Sequence, residues 1–148
     1  MSHQIKHQEF TASLQLKSIE LLNGSINLPG VPNVSLSNFN FNIGLESKAD
    51  AANKLLFVIV SVEIKTEDQN YVLGSLSASC IYSLDNFEEL VKIEANGRLD
   101  MPKPLVEMLN SISISTTRGL MFSTFKGTFL HNAFLPIIDP TAFEQAEK

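Results

Sequence analysis

The sequence has few of the residues that form the disulfides or metal sites by which many small proteins are stabilised. Cys80 is its one cysteine, so no disulfide can form within its 148 residues. A chain of this length buries roughly 68–70% of its unfolded surface and needs neither disulfide nor metal to fold. We therefore expect one domain over residues 1–148, with a flexible polar start at 1–9, and an inert core thiol at Cys80.

Charge is also scarce. Charged residues make up 18% of the chain and hydrophobic residues 44%, whereas soluble proteins have about 25% charged residues. The surplus of apolar residues indicates a subunit interface, a binding groove, or both. The net charge of −5, with 11 basic side chains that form no cluster, argues against nucleic acid as a partner. It is compatible with cationic polypeptides.

Membrane segments are missing from the sequence pattern as well. The first ten residues, MSHQIKHQEF, contain no apolar signal-peptide core. The longest largely apolar stretch, residues 55–62, is far shorter than the ~20 residues that a membrane-spanning helix needs. The expectation is a cytoplasmic protein without membrane insertion.

Alternating residues predict four strands, at 10–22, 37–46, 54–65 and 71–84. In the second, Phe39, Phe41 and Ile43 lie on one face and asparagines on the other. The apolar parity of the first strand changes near Lys17, which predicts a bulge there. A polar hairpin loop is predicted at residues 66–70, so the strands are expected to form an antiparallel meander.

The segment between the first two strands carries Pro29 and Pro32, so we expect a loop rather than a central strand. It also carries four large apolar residues, and a loop of that kind usually covers apolar surface. These residues are Leu28, Val31, Val34 and Leu36.

After residue 84 the apolar period becomes helical. Helices are predicted at 85–94 and from Pro102 to about residue 125, with close packing or a kink at Gly119. Residues 128–138 are predicted to be extended and 141–147 to form a short helix. Strands followed by helices indicate an α+β fold: a four-stranded antiparallel sheet with a crossover loop and C-terminal helices.

Two further sets of residues are predicted to pack in the core or between subunits. We expect Phe122, Phe125 and Phe129, spaced three and four apart, to lie in the core or at a subunit interface. Serine-rich faces on the last strand and on the long helix would permit close approach of another subunit. Those serines are Ser75, Ser77, Ser79, Ser111, Ser113 and Ser115.

The order of these features resembles the SecB family of protein-export chaperones over residues 14–143. The strand ending Cys80-Ile81-Tyr82-Ser83-Leu84, the Arg118-Gly119 pair and Leu135-Pro136 carry the resemblance, together with the proline-containing crossover. It implies an ATP-independent holdase that binds unfolded preproteins for export. It also implies a homotetramer built from dimers and no cofactor or metal.

The family binds its clients in apolar grooves lined by the second strand, the crossover loop and the helices. Carried over to this sequence, the client-binding residues are Leu28, Val31, Val34, Leu36, Phe39, Phe41 and Ile43. An apolar, adaptable groove suits many client sequences, because its affinity comes from buried area rather than from polar pairing.

The sequence also departs from the family. SecB proteins dock on the motor SecA through acidic side chains, and the matching positions here are Asn23, Asn27 and Ser75, all neutral. The lost charge complementarity argues against SecA as a partner. The zinc-docking tail of the family is absent too. Such divergent relatives include dedicated chaperones of toxin–antitoxin systems, which is the alternative function.

The sequence supports an enzymatic function less well than a chaperone function. A hot-dog-type acyl-thioester enzyme would need a carboxylate or histidine on its central helix, and Glu107 is the one candidate. His131 lies near Asp139 but has no nucleophile at a suitable spacing. His3 and His7, four residues apart, do not make a closed metal site. We therefore predict that the protein is not an enzyme.

Overall fold

A computed structural model describes residues 14–28 and 38–139, and its main feature is a sheet of four long strands. The strands are β1 (Leu14–Ile26), β2 (Phe39–Asp50), β3 (Leu55–Thr66) and β4 (Val72–Leu84). All neighbours pair antiparallel in the order β1-β4-β3-β2. The consecutive strands β1 and β2 therefore lie at opposite edges of the sheet.

Shorter elements follow. The helix α1 (Phe87–Leu90) leads into a ribbon of β5 (Lys92–Ile93) and β6 (Leu99–Asp100). The long helix α2 (Lys103–Phe125) comes next, with Pro102 as its N-cap residue and Pro104 in its first turn. Proline is tolerated there because the first N–H groups of a helix have no partner within it. Beyond α2 the chain makes turns to Asn132 and is irregular to Asp139.

One face of the sheet carries the core. Paired residues of antiparallel strands share a face, and the apolar residues of β3 and β4 on the α2 side are almost completely buried. They are Leu56, Val58, Val60, Val62 and Ile64 of β3 and Leu76, Ala78, Cys80, Tyr82 and Leu84 of β4. The helix covers them with Leu105, Leu109, Ile114, Met121 and Phe125. The opposite face carries no helix among the described residues.

A polar contact fixes the helix on the sheet. The hydroxyl oxygens of Tyr82 and Ser113 lie 2.7 Å apart, both groups being completely buried. Thr117 donates to the carbonyl of Ser113 at 2.7 Å. Burial raises the pKa of both the Tyr82 phenol and the neighbouring Cys80 thiol. Cys80 is therefore a protonated core thiol, as the sequence predicted, since the thiolate is the reactive form.

The sequence predicted the sheet more accurately than the connections. The bulge near Lys17 is confirmed by a register shift between Leu16 and Ser18, and a second shift lies between Leu21 and Asn23. β1 and β2 extend beyond their predicted ends at residues 22 and 46 to Ile26 and Asp50. The antiparallel α+β fold class and the hairpin at 66–70 are both confirmed.

Several local predictions were wrong. Within the predicted helix 85–94, only Phe87–Leu90 is helical, and Lys92–Ile93 pairs with β6. Of the two alternatives predicted at Gly119, close packing is wrong, because a β-carbon there would meet no atom within 4 Å; the kink stays a prediction. The predicted extended segment 128–138 begins with turns rather than extended chain. The predicted helix at 141–147 lies outside the described residues.

The two strand glycines Gly74 and Gly44 give a matched test of packing. A β-carbon at Gly74 would lie 2.5 Å from Leu130 Cδ1 and 3.0 Å from the carbonyl oxygen of Ser25, whereas one at Gly44 would meet nothing within 4 Å. We expect Gly74→Ala to lower the free energy of unfolding by about 1–3 kcal/mol. Gly44→Ala should change it by less than about 0.5 kcal/mol. Urea unfolding measures both, and equal effects would contradict the packing seen at Gly74.

Candidate functional site

β2 brings three of the predicted binding residues together. Phe39, Phe41 and Ile43 pair with Thr66, Ile64 and Val62 of β3, whose side chains are buried on the α2 side of the sheet. The three residues therefore share the α2 face of the sheet. Each is partly buried and packs against the edge of the core, as does Leu45 further along β2. β2 thus presents a half-covered apolar row at the rim of the core.

The predicted residues of the crossover are mostly not described. Val31, Val34 and Leu36 lie outside the described residues, so their part in a groove remains a prediction. Leu28, just before the gap, is 81% exposed. It follows Asn27, whose backbone N–H donates to the Leu73 carbonyl at 2.8 Å. Leu28 is therefore an apolar side chain presented to solvent where the chain leaves β1.

β1 holds an exposed apolar row that the sequence analysis missed. Leu16, Ile19 and Leu21 pair with Tyr82, Cys80 and Ala78 of β4, so they share the α2 face of the sheet. They are nevertheless 43–50% exposed. Their alternation suggested burial, but β1 is an edge strand that α2 leaves largely uncovered. Two bulges, between Leu16 and Ser18 and between Leu21 and Asn23, interrupt the pairing of this strand.

The segment after α2 is fastened by Arg118. Its Nε donates to the Leu135 carbonyl and its Nη2 to the Pro136 carbonyl, both at 2.8 Å. Arg118 therefore clamps the segment that follows the helix, rather than capping the end of its own helix. This holds Leu135 in the core, whereas Ile137, two residues later, is 95% exposed.

An aromatic group lies beside this clamp. The rings of Phe122 and Phe134 stack with centroids 6.3 Å apart, and the ring of His131 lies 5.7 Å from that of Phe122. Of the three phenylalanines predicted to be in the core or at an interface, Phe125 is in the core and Phe129 is partly buried. Phe122 is 44% exposed. His131 is thus part of an aromatic contact near the surface.

The uncovered face of the sheet is polar in one region, whereas Phe57, Ile59 and Ile81 make another part of it apolar. A shallow depression of about 340 Å³ is lined by short side chains, among them Asn23, Ser61, Ser75 and Ser77, with Glu63 as its one charged residue. Ser75 is engaged by the hydroxyl of Ser25 at 2.7 Å. The side-chain amide of Asn27 reaches the Val72 carbonyl at 3.4 Å. The three neutral positions at which SecB proteins carry acidic groups thus lie on or beside this face.

The expected subunit contact through the serines is wrong for two of them. Ser113 is completely buried against Tyr82, and Ser79 is 5% exposed. A residue already buried within its own chain has no surface to offer a partner. For Ser113 the serine spacing could not reveal this, because it does not show which side of α2 faces the sheet.

No catalytic arrangement emerges among the described residues. Glu107 lies in the second turn of α2 and His131 beyond the opposite end of that helix, so they are too far apart to act on one substrate. No cluster of three or more His, Cys, Asp or Glu suited to hold a metal ion occurs in the described ranges. None of the helices described there is long and apolar enough to cross a membrane.

Comparison with known proteins identifies the fold. No family model and no curated protein matches the sequence. Among solved structures, the chain is similar to the Mycobacterium tuberculosis Rv1957 SecB-like chaperone, which was solved in complex with a ChAD peptide from the Rv1956 HigA1 antitoxin. The two share 13% sequence identity over 92% of each chain, with a TM-score of 0.52. The chain therefore has a SecB-like α+β fold.

The Arg118 clamp can be tested directly. Arg118→Met keeps most of the apolar stem but removes both hydrogen bonds to the 135–136 carbonyls, and we expect a loss of about 1–3 kcal/mol in the stability of this segment. Amide hydrogen exchange of residues 130–138 should accelerate, while β3 and β4 stay protected. Arg98→Met, at an exposed arginine, is the charge-matched control. Unchanged exchange in Arg118→Met would show that core packing alone holds the segment.

Proposed function

We propose that this protein is an ATP-independent holdase of the cytoplasm that binds unfolded polypeptides, preproteins for export among them, along the apolar side of β2. One observation carries the proposal: in a SecB-like fold, β2 presents a row of large apolar residues that the helix covers only in part. Phe39, Phe41 and Ile43 form this row. Binding of this kind requires no nucleotide, cofactor or metal, and the protein is not proposed to be an enzyme.

The chemistry of the row suits clients of varied sequence. Its side chains offer apolar area, worth roughly 25 cal/mol per Å² removed from water, and no charged group lies between Phe39 and Leu45. Area without polar pairing discriminates little between client sequences. We include Leu28, Val31, Val34 and Leu36 in the proposed binding surface, because their segment leads directly into β2.

A second candidate function is a dedicated chaperone of a toxin–antitoxin system. The observation that favours it is the solved neighbour, a SecB-like chaperone bound to an antitoxin peptide. A dedicated chaperone would bind one peptide tightly and suppress the aggregation of unrelated clients poorly. A general holdase would suppress the aggregation of its tightest client and of unrelated clients at similar ratios of chaperone to client.

SecA is disfavoured as a partner within this proposal. Asn23, Asn27 and Ser75 are neutral, and Glu63 is the one charge in the depression on the uncovered face. Docking that depends on acidic groups would lose its electrostatic complementarity here. Bound clients would then pass to another receptor or be released directly.

The binding row can be tested with one matched pair of variants. Phe41→Asp places a carboxylate in the row, and Asn42→Asp places the same charge on the uncovered face of the same strand. We expect Phe41→Asp to weaken the suppression of aggregation of a chemically unfolded preprotein, without ATP, at least tenfold. Asn42→Asp should act like the unchanged protein. Light scattering measures this, and circular dichroism confirms folding.

Two outcomes would count against the proposal. If the unchanged, folded protein suppresses no aggregation, the fold is present without holdase activity. If Phe41→Asp suppresses as well as Asn42→Asp, clients bind elsewhere than on the β2 row.

We also propose that copies of the chain associate into dimers or tetramers through the apolar row of β1. Leu16, Ile19 and Leu21 are exposed on the α2 face beyond the cover of the helix. Exposed rows of this kind mark interaction surfaces, and an isologous contact would bury the same residues on both copies.

A second matched pair tests this association. Leu21→Lys should shift the protein towards a smaller species, whereas Asn23→Lys, on the opposite face of β1, should leave the mass unchanged. Size-exclusion chromatography with multi-angle light scattering gives the mass of each. A monomeric unchanged protein at micromolar concentration would refute the association.

A further inference from the structure

The first half of β3 is apolar on both of its faces. Leu55, Phe57 and Ile59 lie on the uncovered face, alternating with the buried residues of the α2 face. An antiparallel strand with one solvated face normally alternates apolar and polar residues. β3 does so only from Ser61 onwards, with Glu63 next on the uncovered face. A run that is apolar on both faces is typical of a strand that is covered on both sides.

Ile81 of β4 joins these three residues of β3 to form one apolar patch. It pairs directly with Phe57, and all four side chains are partly exposed. We call these four residues the outer patch. Their neighbours on the edge strands are polar, since Ser18 of β1 pairs with Ile81 and Lys48 of β2 pairs with Phe57. An apolar area with a polar border has the form of an interaction surface.

The chain enters the sheet at the same end as the outer patch. β1 begins at Leu14, which pairs with Leu84, the last residue of β4, three positions beyond Ile81. β4 therefore offers no further strand residue with which the chain before Leu14 could pair. Thirteen residues, MSHQIKHQEFTAS, precede Leu14 in the sequence, and they include the large apolar residues Ile5 and Phe10.

The lengths involved allow this segment to reach the outer patch. With ~3.3 Å per residue along a strand and about 4.8 Å between strands, Ile81 lies about 11 Å from Leu14. The chain from Leu14 back to Phe10 spans up to about 13 Å, and the chain back to Ile5 spans up to about 30 Å. Both apolar side chains can therefore lie on the outer patch once the chain turns onto the uncovered face.

The α2 face offers less free apolar surface at this end of the sheet. Tyr82, Leu84 and Phe87 are at most 2% exposed, so they are already covered within the chain. The competing surface on that face is the apolar row of β1, which begins with Leu16 at 43% exposed. The association of copies proposed above would already bury that row. The outer patch has no such competitor, because it lies on the opposite face of the sheet.

We propose that residues 1–13 fold back over the uncovered face of the sheet and place Phe10, with Ile5 beyond it, on the outer patch. The segment is joined directly to β1, so its effective concentration at the patch is high. The polar depression around Ser61 and Ser77 stays free, as does the β2 row on the other face. A docked segment differs from the flexible start expected from the polar sequence of residues 1–9, and the experiment distinguishes the two.

A spin label in the segment tests this contact in the full chain. Because Cys80 is buried, the new thiol of a Gln8→Cys variant is the one that reacts with a nitroxide label. The label speeds the nuclear magnetic relaxation of nearby methyl groups, and this effect falls steeply with distance. We expect the enhancement at Ile59, on the uncovered face, to be at least about threefold larger than at Val60, the next residue of β3, on the α2 face.

Two variants of the labelled protein provide matched controls. Phe10→Ser removes the proposed anchor and should make the enhancements at Ile59 and Val60 nearly equal. Gln4→Ser introduces the same residue at a position without an apolar side chain and should preserve the difference. Both positions precede Leu14, where the described part of the sheet begins. Circular dichroism checks that each variant keeps the fold.

Other outcomes would overturn the proposal. Equal enhancement at Ile59 and Val60 before any change at Phe10 would indicate that the segment does not dock. A larger enhancement at Leu16 than at Ile59 would place the segment on the row of β1. Enhancement at Ile59 only when spin-labelled chains are mixed with isotope-labelled chains would identify a second copy as the source of the segment. No client takes part in these measurements, so their result does not depend on holdase activity.

Discussion

The width of a single helix is the constraint on which the rest of this structure depends. An α-helix with its side chains is about 10–12 Å across, whereas neighbouring strands lie about 4.8 Å apart. One helix therefore covers the two inner strands and leaves the outer two partly uncovered. The burial follows this rule: Val60 of β3 and Ala78 of β4 are completely buried, the inward residues of β2 are partly buried, and Leu21 of β1 is 50% exposed. The low content of charged residues fits this arrangement, because all four strands carry apolar residues on the α2 face, including the two edge strands that the helix covers only in part.

The register of the helix over the sheet depends on a few contacts. The buried pair of Tyr82 and Ser113 fixes its first half on β4, and an unpaired hydroxyl at either position would cost free energy in so dry a site. Near the other end, Leu130 lies so close to Gly74 that no β-carbon fits between them. Arg118 then holds the chain that follows the helix. Because the helix is fixed in this way, among the described residues it leaves the same parts of β1 and β2 uncovered.

Sequence reasoning found the strands because alternation is a local property, and it found the bulge near Lys17 because a bulge changes the parity of alternation. It placed Phe39, Phe41 and Ile43 on one face correctly for the same reason. It missed the exposure of Leu16 and Leu21, since exposure depends on the order of strands in the sheet, which alternation does not encode. Ser113 was misread as a surface residue because the side of α2 that faces the sheet is decided by tertiary packing. Residues 85–94 were misread because a short apolar run can suit one helical turn followed by a strand.

Energetic magnitudes indicate what kind of binder the apolar row of β2 can be. Ordering the backbone of a client costs about 1–2 kcal/mol for each residue fixed. Two or three client side chains buried beside Phe41 and Ile43 return about 1.5–3 kcal/mol each. These quantities nearly cancel for a short segment, so one row would bind a client weakly and reversibly. Tight holding of an unfolded chain would then need several rows acting on the same client, which raises the effective concentration of each later contact. Association of copies through β1 would supply those rows and leave β2 free, so the uneven burial produced by one narrow helix suits both tasks.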